Sequence, residues 1–205
     1  MTKREKLIKL REKALADKKL PKFEGATKLV FGAGNAQAQI LMLGESPGYW
    51  EDVKGIPFVG NAGKLLDQAL QSIEVPRGDV FITNVVLYRP PGNRDPNPDE
   101  IEAFSPYIDG IIDILAPRVI VTLGRFSMAK FLPGVFISSV HGKPKEVSWK
   151  DKKIIVVPMY HPAAALRNGD VKAKMLRDFV VLKDVLESRD KLVDDKIKLE
   201  QMKLV

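Results

Sequence analysis

The sequence predicts an α/β protein: a three-layer α/β/α sandwich built around a central, mainly parallel, four-stranded sheet. Four short runs rich in Ile, Val and Leu lack alternation of apolar and polar residues, which is typical of parallel strands covered on both faces. Amphipathic helical patterns lie between these runs, and such alternation of strands and helices places helices on both sides of a sheet. The predicted strands are residues 40–43, 80–82, 119–123 and 154–157.

Three segments carry apolar residues at helical spacing. The second of them follows Asp99 and Glu100, and acidic residues favour a helix N-terminus. The apolar faces are Leu65, Leu66, Ala69, Leu70 and Ile73; then Ile101, Phe104, Ile108, Ile111, Ile112 and Leu115; and finally Met175, Leu176, Phe179, Leu182 and Leu186.

The two ends of the chain are rich in charge. Residues 2–19 predict a basic amphipathic helix that carries Leu7, Ile8, Leu10 and Leu15, and residues 188–205 form a charged C-terminal tail. The length suits one domain with a real core, so we expect a single domain over residues 1–205, with residues 1–20 as its N-terminal basic helix.

Composition excludes several classes of protein. The 205 residues include no Cys, which excludes disulfides, thiolate metal sites and a cysteine nucleophile. No apolar run approaches the ~20 residues that span a bilayer, and the first ten residues lack the apolar stretch of a signal peptide, so a cytoplasmic protein is expected. The net charge of +7 favours polyanionic partners, although solvated Lys faces produce the same balance.

Polar segments follow all four predicted strands. Because ligands of open parallel sheets bind outside the carboxyl ends of the strands, these segments predict one shared cleft. Each segment alone is also compatible with an ordinary turn or a structural His. The segments are residues 44–48, 83–84, 124–125 and 159–162.

Familiar nucleotide and metal motifs do not match. The glycines of residues 32–34 precede a strand, whereas the dinucleotide fingerprint follows one, and residues 60–65 lack the spacing and Ser/Thr of a P-loop. His141 and His161 are not in an HExxH-like arrangement. No metal site is predicted.

Several segments, in order along residues 25–186, carry a highly specific resemblance. They are residues 44–48, 51–52, 55–60, 62–63, 83–84, 89–96 and 161–168. Taken together, they resemble the family 4 uracil-DNA glycosylases. The resemblance implies a monofunctional enzyme that flips uracil out of single- or double-stranded DNA and hydrolyses the N-glycosidic bond, which initiates base excision repair. A monomer without a membrane partner is expected.

The resemblance also implies roles for the residues of a uracil pocket. Phe58 would stack on the flipped base, Asn84 would pair with uracil N3–H and O4, and His161 would donate to O2. Glu45 and the backbone of Ser46 would line the same pocket.

Further roles follow from the same resemblance. Asn93 would position the attacking water, with Glu45 and His161 completing the catalytic set. Glu51 matches the position that crowds uracil C5 and would exclude the thymine methyl group. Leu166 would fill the vacated base stack. The expected DNA contacts are Arg89, Arg94, His141, Lys143 and Arg167, with phosphate contacts contributing affinity rather than specificity.

The chain departs from the family at one feature. Family 4 enzymes hold a [4Fe–4S] cluster with four cysteines, and the corresponding positions here are Asp17, Leu20, Tyr88 and Phe104. No cofactor is therefore expected, and we expect apolar packing of Leu20, Tyr88 and Phe104 to replace the cluster.

Two other functions are compatible with the sequence. One is a non-catalytic module that binds DNA or senses uracil on the same fold. The other is a glycosylase for a different damaged base, such as hypoxanthine or a 5-substituted uracil.

Overall fold

The computed structural model describes residues 1–202, and it describes side chains as far as residue 188. Two short 3₁₀ turns, Arg77–Asp79 and Pro91–Asn93, complete the secondary structure. The helices are α1 (Lys3–Ala16), α2 (Tyr49–Lys54), α3 (Asn61–Ser72), α4 (Pro98–Leu115), α5 (Arg125–Ala129), α6 (Ile137–Val140), α7 (Pro162–Arg167) and α8 (Gly169–Met202). The strands are β1 (Ala33–Gly34), β2 (Ile40–Gly44), β3 (Val80–Asn84), β4 (Val119–Leu123), β5 (Lys145–Trp149) and β6 (Lys152–Met159).

The strands form one six-stranded sheet in the order β1-β3-β2-β4-β6-β5. Its centre, β3-β2-β4-β6, is parallel and consists of the four predicted strands. The edge strands β1 and β5 pair antiparallel with their neighbours, and the sequence did not predict them. β1 has only two residues, and β5 is a mostly exposed strand without a long apolar run.

Apolar clusters cover both faces of the sheet, which confirms the predicted three layers. Along β2, Leu41 and Leu43 join the cluster that includes α1 and α4, whereas Ile40 and Met42 join the cluster on the side of α3 and α8. Successive strand side chains point to opposite faces, so a strand buried on both sides must be apolar at every position.

The three predicted core helices correspond to α3, α4 and α8. The four short helices α2, α5, α6 and α7 have only four to six residues each, too few to show a helical period. The backbone of α8 continues to Met202, so most of the predicted C-terminal tail is helical, while residues 203–205 lie outside the described part of the chain. None of the described helices is both long and apolar enough to cross a membrane.

The predicted N-terminal helix is present as α1, and it buries only some of its apolar residues. Leu7 and Ala14 are buried, and Leu10 packs against the same core. Ile8 and Leu15 are 47% and 48% exposed and lie outside the buried face. Residues 7, 10 and 14 follow the three- and four-residue spacing of one helix face, and the positions next to 7 and 14 lie about 100° away around the axis.

Candidate active site

The carboxyl ends of the parallel strands border a cavity of about 340 Å³. Gly44 ends β2, Asn84 ends β3, and His161 follows β6 by two residues. That volume is within the range of sites for small molecules. Every residue predicted for the uracil pocket lines this cavity, together with Asp95 and Arg167: Glu45, Ser46, Glu51, Phe58, Asn84, Asn93 and His161.

Asn84 presents an unpaired carboxamide to the cavity. The residue is 1% exposed, yet neither Oδ1 nor Nδ2 has a hydrogen-bond partner among the described residues. A Cβ at Gly44 would lie 2.3 Å from Asn84 Oδ1 and 2.7 Å from the Phe58 ring, so only glycine leaves room for both. A buried polar group without a partner costs about 1–3 kcal/mol, which a ligand with a matching polar edge would offset.

Phe58 and His161 lie side by side in the lining of the cavity. Their ring centroids are 5.6 Å apart, with 36° between the ring planes. Phe58 adopts a left-handed φ of 52°. A Cβ at Gly63, in the first turn of α3, would lie 1.8 Å from the Phe58 carbonyl oxygen, so this glycine permits the close approach that holds Phe58 in place.

His161 is held as a neutral hydrogen-bond donor. It caps α7, and its Nδ1 accepts from the Ala163 backbone N–H at 3.1 Å. In a neutral imidazole the other nitrogen, Nε2, then carries the proton. Burial first, and the nearby Arg167 charge second, lower the pKa of His161 to about 4, so the ring is neutral at pH 7.

Glu45 has a carboxyl group that titrates near neutrality. Burial, and then the nearby Asp95 carboxylate, raise the pKa of Glu45 to about 7, while Arg125 and Arg167 act in the opposite direction. A carboxyl with this pKa suits proton transfer at neutral pH.

This pKa predicts a pH dependence for any reaction that needs the Glu45 carboxylate. Glu45 is neutral below its raised pKa, so log kcat/KM should rise with unit slope up to about pH 7 and then level off. Glu45→Gln should be less active and should lose that limb. Initial rates from pH 5 to 9 measure both effects, and an unchanged limb in the variant would assign the titration to another group.

Glu51 holds the loop around the cavity. Its Oε1 accepts from the backbone N–H groups of Val59 and Gly60, both at 2.8 Å, and its Oε2 accepts from Gly48 N–H at 3.2 Å. These bonds connect α2 to the segment before α3. The carboxylate therefore lines the cavity in a fixed position.

Truncation of Glu51 should have two effects. Glu51→Ala opens space in the cavity, so, for the uracil substrate that the resemblance implies, activity on 5-substituted uracils should rise relative to uracil. Stability should fall by about 1–3 kcal/mol, because the loop N–H groups lose their acceptor. Glu51→Gln keeps the volume and Oε1 as an acceptor, so it should largely preserve the substrate ratio. An unchanged ratio in Glu51→Ala would remove Glu51 from substrate discrimination.

Asn93 is held by a neighbour that was predicted to contact DNA. Arg89 Nε donates to Asn93 Oδ1 at 2.7 Å, and the Arg89 guanidinium lies 5.2 Å from the centroid of the Tyr49 ring. Asn93 has a left-handed φ of 55°, a conformation that Asn tolerates better than most residues. Arg89 is therefore a positioning residue for Asn93.

The other predicted DNA contacts fall into two groups. Leu166, which is 49% exposed, and Arg167 are the last two residues of α7, and Arg167 lines the cavity. His141 does not line the cavity, but its ring centroid is 4.6 Å from that of Tyr160, the residue before His161.

Arg94, His141 and Lys143 have partners within the protein. Arg94 makes two hydrogen bonds to Glu100, of 2.9 Å and 2.6 Å, at the start of α4. His141 Nδ1 lies 2.9 Å from the buried carboxylate of Asp178, and Lys143 Nζ donates to the Ser139 carbonyl. None of these three lines the cavity.

Sequence reasoning did not single out Asp95 and Arg125 as site residues. Asp95 lines the cavity and forms an ion pair with Arg125, the first residue of α5. Asp95 raises and Arg125 lowers the pKa of Glu45. Segments 89–96 and 124–125 are both predicted to lie at the cleft, but the sequence does not predict that Asp95 and Arg125 pair there.

The positions that correspond to cluster cysteines do not fit an iron–sulfur cluster. Leu20, Tyr88 and Phe104 are buried in one apolar cluster, with 6.2 Å between the two aromatic ring centroids. Asp17 accepts a hydrogen bond from Tyr107 Oη at 2.7 Å. The expected apolar packing is thus confirmed, and the chain has no cysteine to ligate iron. Among the side chains that the structure describes, which extend to residue 188, no three potential metal-binding groups come together.

Comparison with known proteins agrees with the geometry of the cavity. The family model described as Uracil DNA glycosylase superfamily matches residues 31–181, which contain the whole sheet and every residue that lines the cavity. The chain belongs to the uracil DNA glycosylase superfamily.

Relatives of this superfamily member have similar lengths. A type-4 uracil-DNA glycosylase of Sulfurisphaera tokodaii is 45% identical over 185 residues, which cover 87% of this chain and 84% of the relative. One from Archaeoglobus fulgidus is 46% identical, with 75% and 79% covered. One from Saccharolobus solfataricus is 44% identical, with 80% and 79% covered.

Proposed function

We propose that this superfamily member is a uracil-DNA glycosylase that extrudes uracil from DNA and hydrolyses its N-glycosidic bond, leaving an abasic site. The observation that carries this proposal is the buried, unpaired carboxamide of Asn84 in a cavity beside Phe58 and His161. The names of the relatives, type-4 uracil-DNA glycosylases, support the same activity.

Recognition of uracil uses the face and the edge of the base. The flipped ring lies against Phe58. The Asn84 carboxamide offers Oδ1 to uracil N3–H and Nδ2 to uracil O4. Cytosine presents a bare N3 and an amino group, which do not match a carboxamide in this orientation.

Bond cleavage separates a cation-like sugar from an anionic base. As the bond between C1′ and N1 breaks, positive charge develops on the sugar ring and negative charge on uracil, including O2. His161 Nε2–H donates to O2, and a fixed donor is most effective where charge develops during the reaction. Because its pKa is about 4, His161 is neutral at pH 7, and a neutral imidazole donates its Nε2–H as a hydrogen bond without transferring the proton.

Water then attacks C1′. Asn93, held by Arg89, positions the water, and the Glu45 carboxylate takes its proton as the new C–O bond forms. The uracil anion leaves and takes a proton from solvent, and the protonated Glu45 returns its proton to solvent, which restores the carboxylate.

DNA is held around the mouth of the cavity. Arg167 contacts phosphate near the flipped nucleotide and Leu166 occupies the vacated stack, while His141, Lys143 and Arg94 are more distant candidate contacts. The enzyme acts as a monomer on single- or double-stranded DNA. A cytoplasmic location stays a prediction.

Activity is expected without metal. The protein should purify colourless and iron-free, and uracil release should persist in excess chelator, because no thiolate exists to hold a cluster. Metal analysis and rates with and without chelator make the measurement. Stoichiometric iron, with activity lost when the iron is removed, would contradict this expectation.

Base release from defined oligonucleotides tests the proposal. Single- and double-stranded oligonucleotides with one uracil, one hypoxanthine or one 5-substituted uracil are incubated with enzyme, and the free base and abasic sites are quantified. Uracil release is expected. Binding without base release would instead support the non-catalytic, uracil-sensing module. Preferential release of another base would support a glycosylase for that damaged base.

A further inference from the structure

Two exposed aromatic side chains stand at the mouth of the cavity without a role in the chemistry above. Tyr49 and Trp50 are 53% and 55% exposed and begin α2 directly after Gly48, which lines the cavity. Their rings meet edge to face with centroids 5.2 Å apart. Val53 and Ile56 are also exposed, so the apolar surface continues along this short helix and past its end.

Neighbouring residues contact the two rings on both sides. Arg89 lies over Tyr49 while it donates to Asn93 in the cavity. Trp50 lies close to the loop before α3, since a Cβ at Gly60 would be 3.6 Å from Trp50 Cδ1. Glu51, the next residue, bonds the N–H of Gly60. The rings are therefore tied to the same loops that form the pocket.

We propose that Tyr49 and Trp50 form a stacking platform for a DNA base adjacent to the flipped uracil. This inference rests on the proposed function. A nucleotide that leaves the stack exposes the face of its neighbour, and an aromatic side chain can cover that face whatever the base. Arg89 places a positive charge beside the platform, which suits a phosphodiester strand better than an apolar protein partner.

The platform should matter most for single-stranded DNA. A neighbouring base in a single strand is free to stack on Trp50, whereas in a duplex it stays paired and Leu166 fills the vacated position beside it. Trp50→Ala should therefore raise KM for a single-stranded substrate about fivefold to a hundredfold, with a smaller rise for a duplex and kcat nearly unchanged. Trp50→Phe keeps an aromatic face and should restore most of the affinity.

Fluorescence gives a readout that does not depend on catalysis. The chain has two tryptophans, and Trp149 lies on the edge strand β5, so Trp149→Phe leaves Trp50 as the only tryptophan, which is excited selectively over tyrosine at long wavelength. The probe is a single-stranded oligonucleotide with 2′-fluoro-2′-deoxyuridine, whose glycosidic bond resists cleavage. Its binding should quench Trp50, and replacing both neighbours of the uridine by abasic residues should abolish the quenching at saturation.

The possible outcomes separate the platform from the proposed function. Quenching that persists with abasic neighbours, or a Trp50→Ala variant with the parent's KM on single strands, would overturn the platform while uracil release by the parent still supports the glycosylase. Ile8→Ala, an exposed apolar change on α1, serves as the control and should leave KM unchanged. If the parent binds the oligonucleotide with base-dependent quenching but releases no uracil, the platform stands and the proposed function fails.

Discussion

Asn84→Ala is expected to lower kcat/KM for uracil release by about 10²- to 10⁴-fold while the protein stays folded. The variant leaves the N3–H and O4 groups of the flipped base without partners in a buried site. At about 1–3 kcal/mol for each unpaired group, the loss corresponds to that range of rates. Asn84 also contributes discrimination, so residual activity should favour uracil over cytosine less strongly.

The same substitution should not destabilise the free protein. Asn84 Oδ1 and Nδ2 are buried without partners, so removing them deletes an unfavourable feature that offsets lost packing. Thr122→Val is a matched control, because Thr122 Oγ1 is also buried and unpaired but Thr122 does not line the cavity. Both variants should match or exceed the parent's melting temperature, and only Asn84→Ala should lose activity. Parent-like excision by Asn84→Ala would show that the cavity is not the uracil pocket.

His161→Ala is expected to reduce kcat by about 10²- to 10³-fold, the usual effect of removing one donor to a developing anion. KM should change less, because the charge on O2 develops mainly in the transition state. Since the pKa of His161 is about 4, this donor is present throughout pH 6–8, and the loss should be the same across that range.

A second substitution separates the chemistry of His161 from its structural role. His161 also caps α7 through Nδ1, and Asn is a good helix cap. His161→Asn should keep the start of α7 yet lose the Nε2 donor, so its kcat should fall as far as that of His161→Ala. Only His161→Ala should lose the roughly 0.5–2 kcal/mol of a cap. Single-turnover rates and denaturant unfolding make the comparison, and a parent-like rate for His161→Asn would remove His161 from catalysis.

The sequence predicted those strands and helices whose residues form a continuous apolar run or a long apolar helix face. The four central strands were predictable because β2, β3, β4 and β6 lie in the covered part of the sheet and require apolar side chains on both faces. The edge strand β5 alternates in exposure and forms only against β6, so its pairing depends on tertiary context. The exposure of Ile8 and Leu15 likewise depends on which side of α1 meets α4.

The cavity residues were predictable as a set, whereas their partners were not. The resemblance named Glu51, Arg89 and Arg94, but not the hydrogen bonds that hold them. Glu51 bonds backbone N–H groups, which a side-chain pattern does not reveal. Arg94 donates to Glu100, six residues away. The sequence alone does not distinguish an arginine that contacts DNA from one that bonds a carboxylate at the start of a helix.

Release of uracil in a single turnover tests the central claim most directly. Enzyme in excess is mixed, in chelator, with a single-stranded oligonucleotide that has one uracil, and free uracil and alkali-sensitive abasic sites are counted over time. The parent should release one uracil per strand and nothing from the matched thymine or cytosine strand, while Asn84→Ala should release it at least about a hundredfold more slowly. No uracil from the parent, or equal rates for parent and variant, would contradict the assignment of this cavity as a metal-free uracil-excising site.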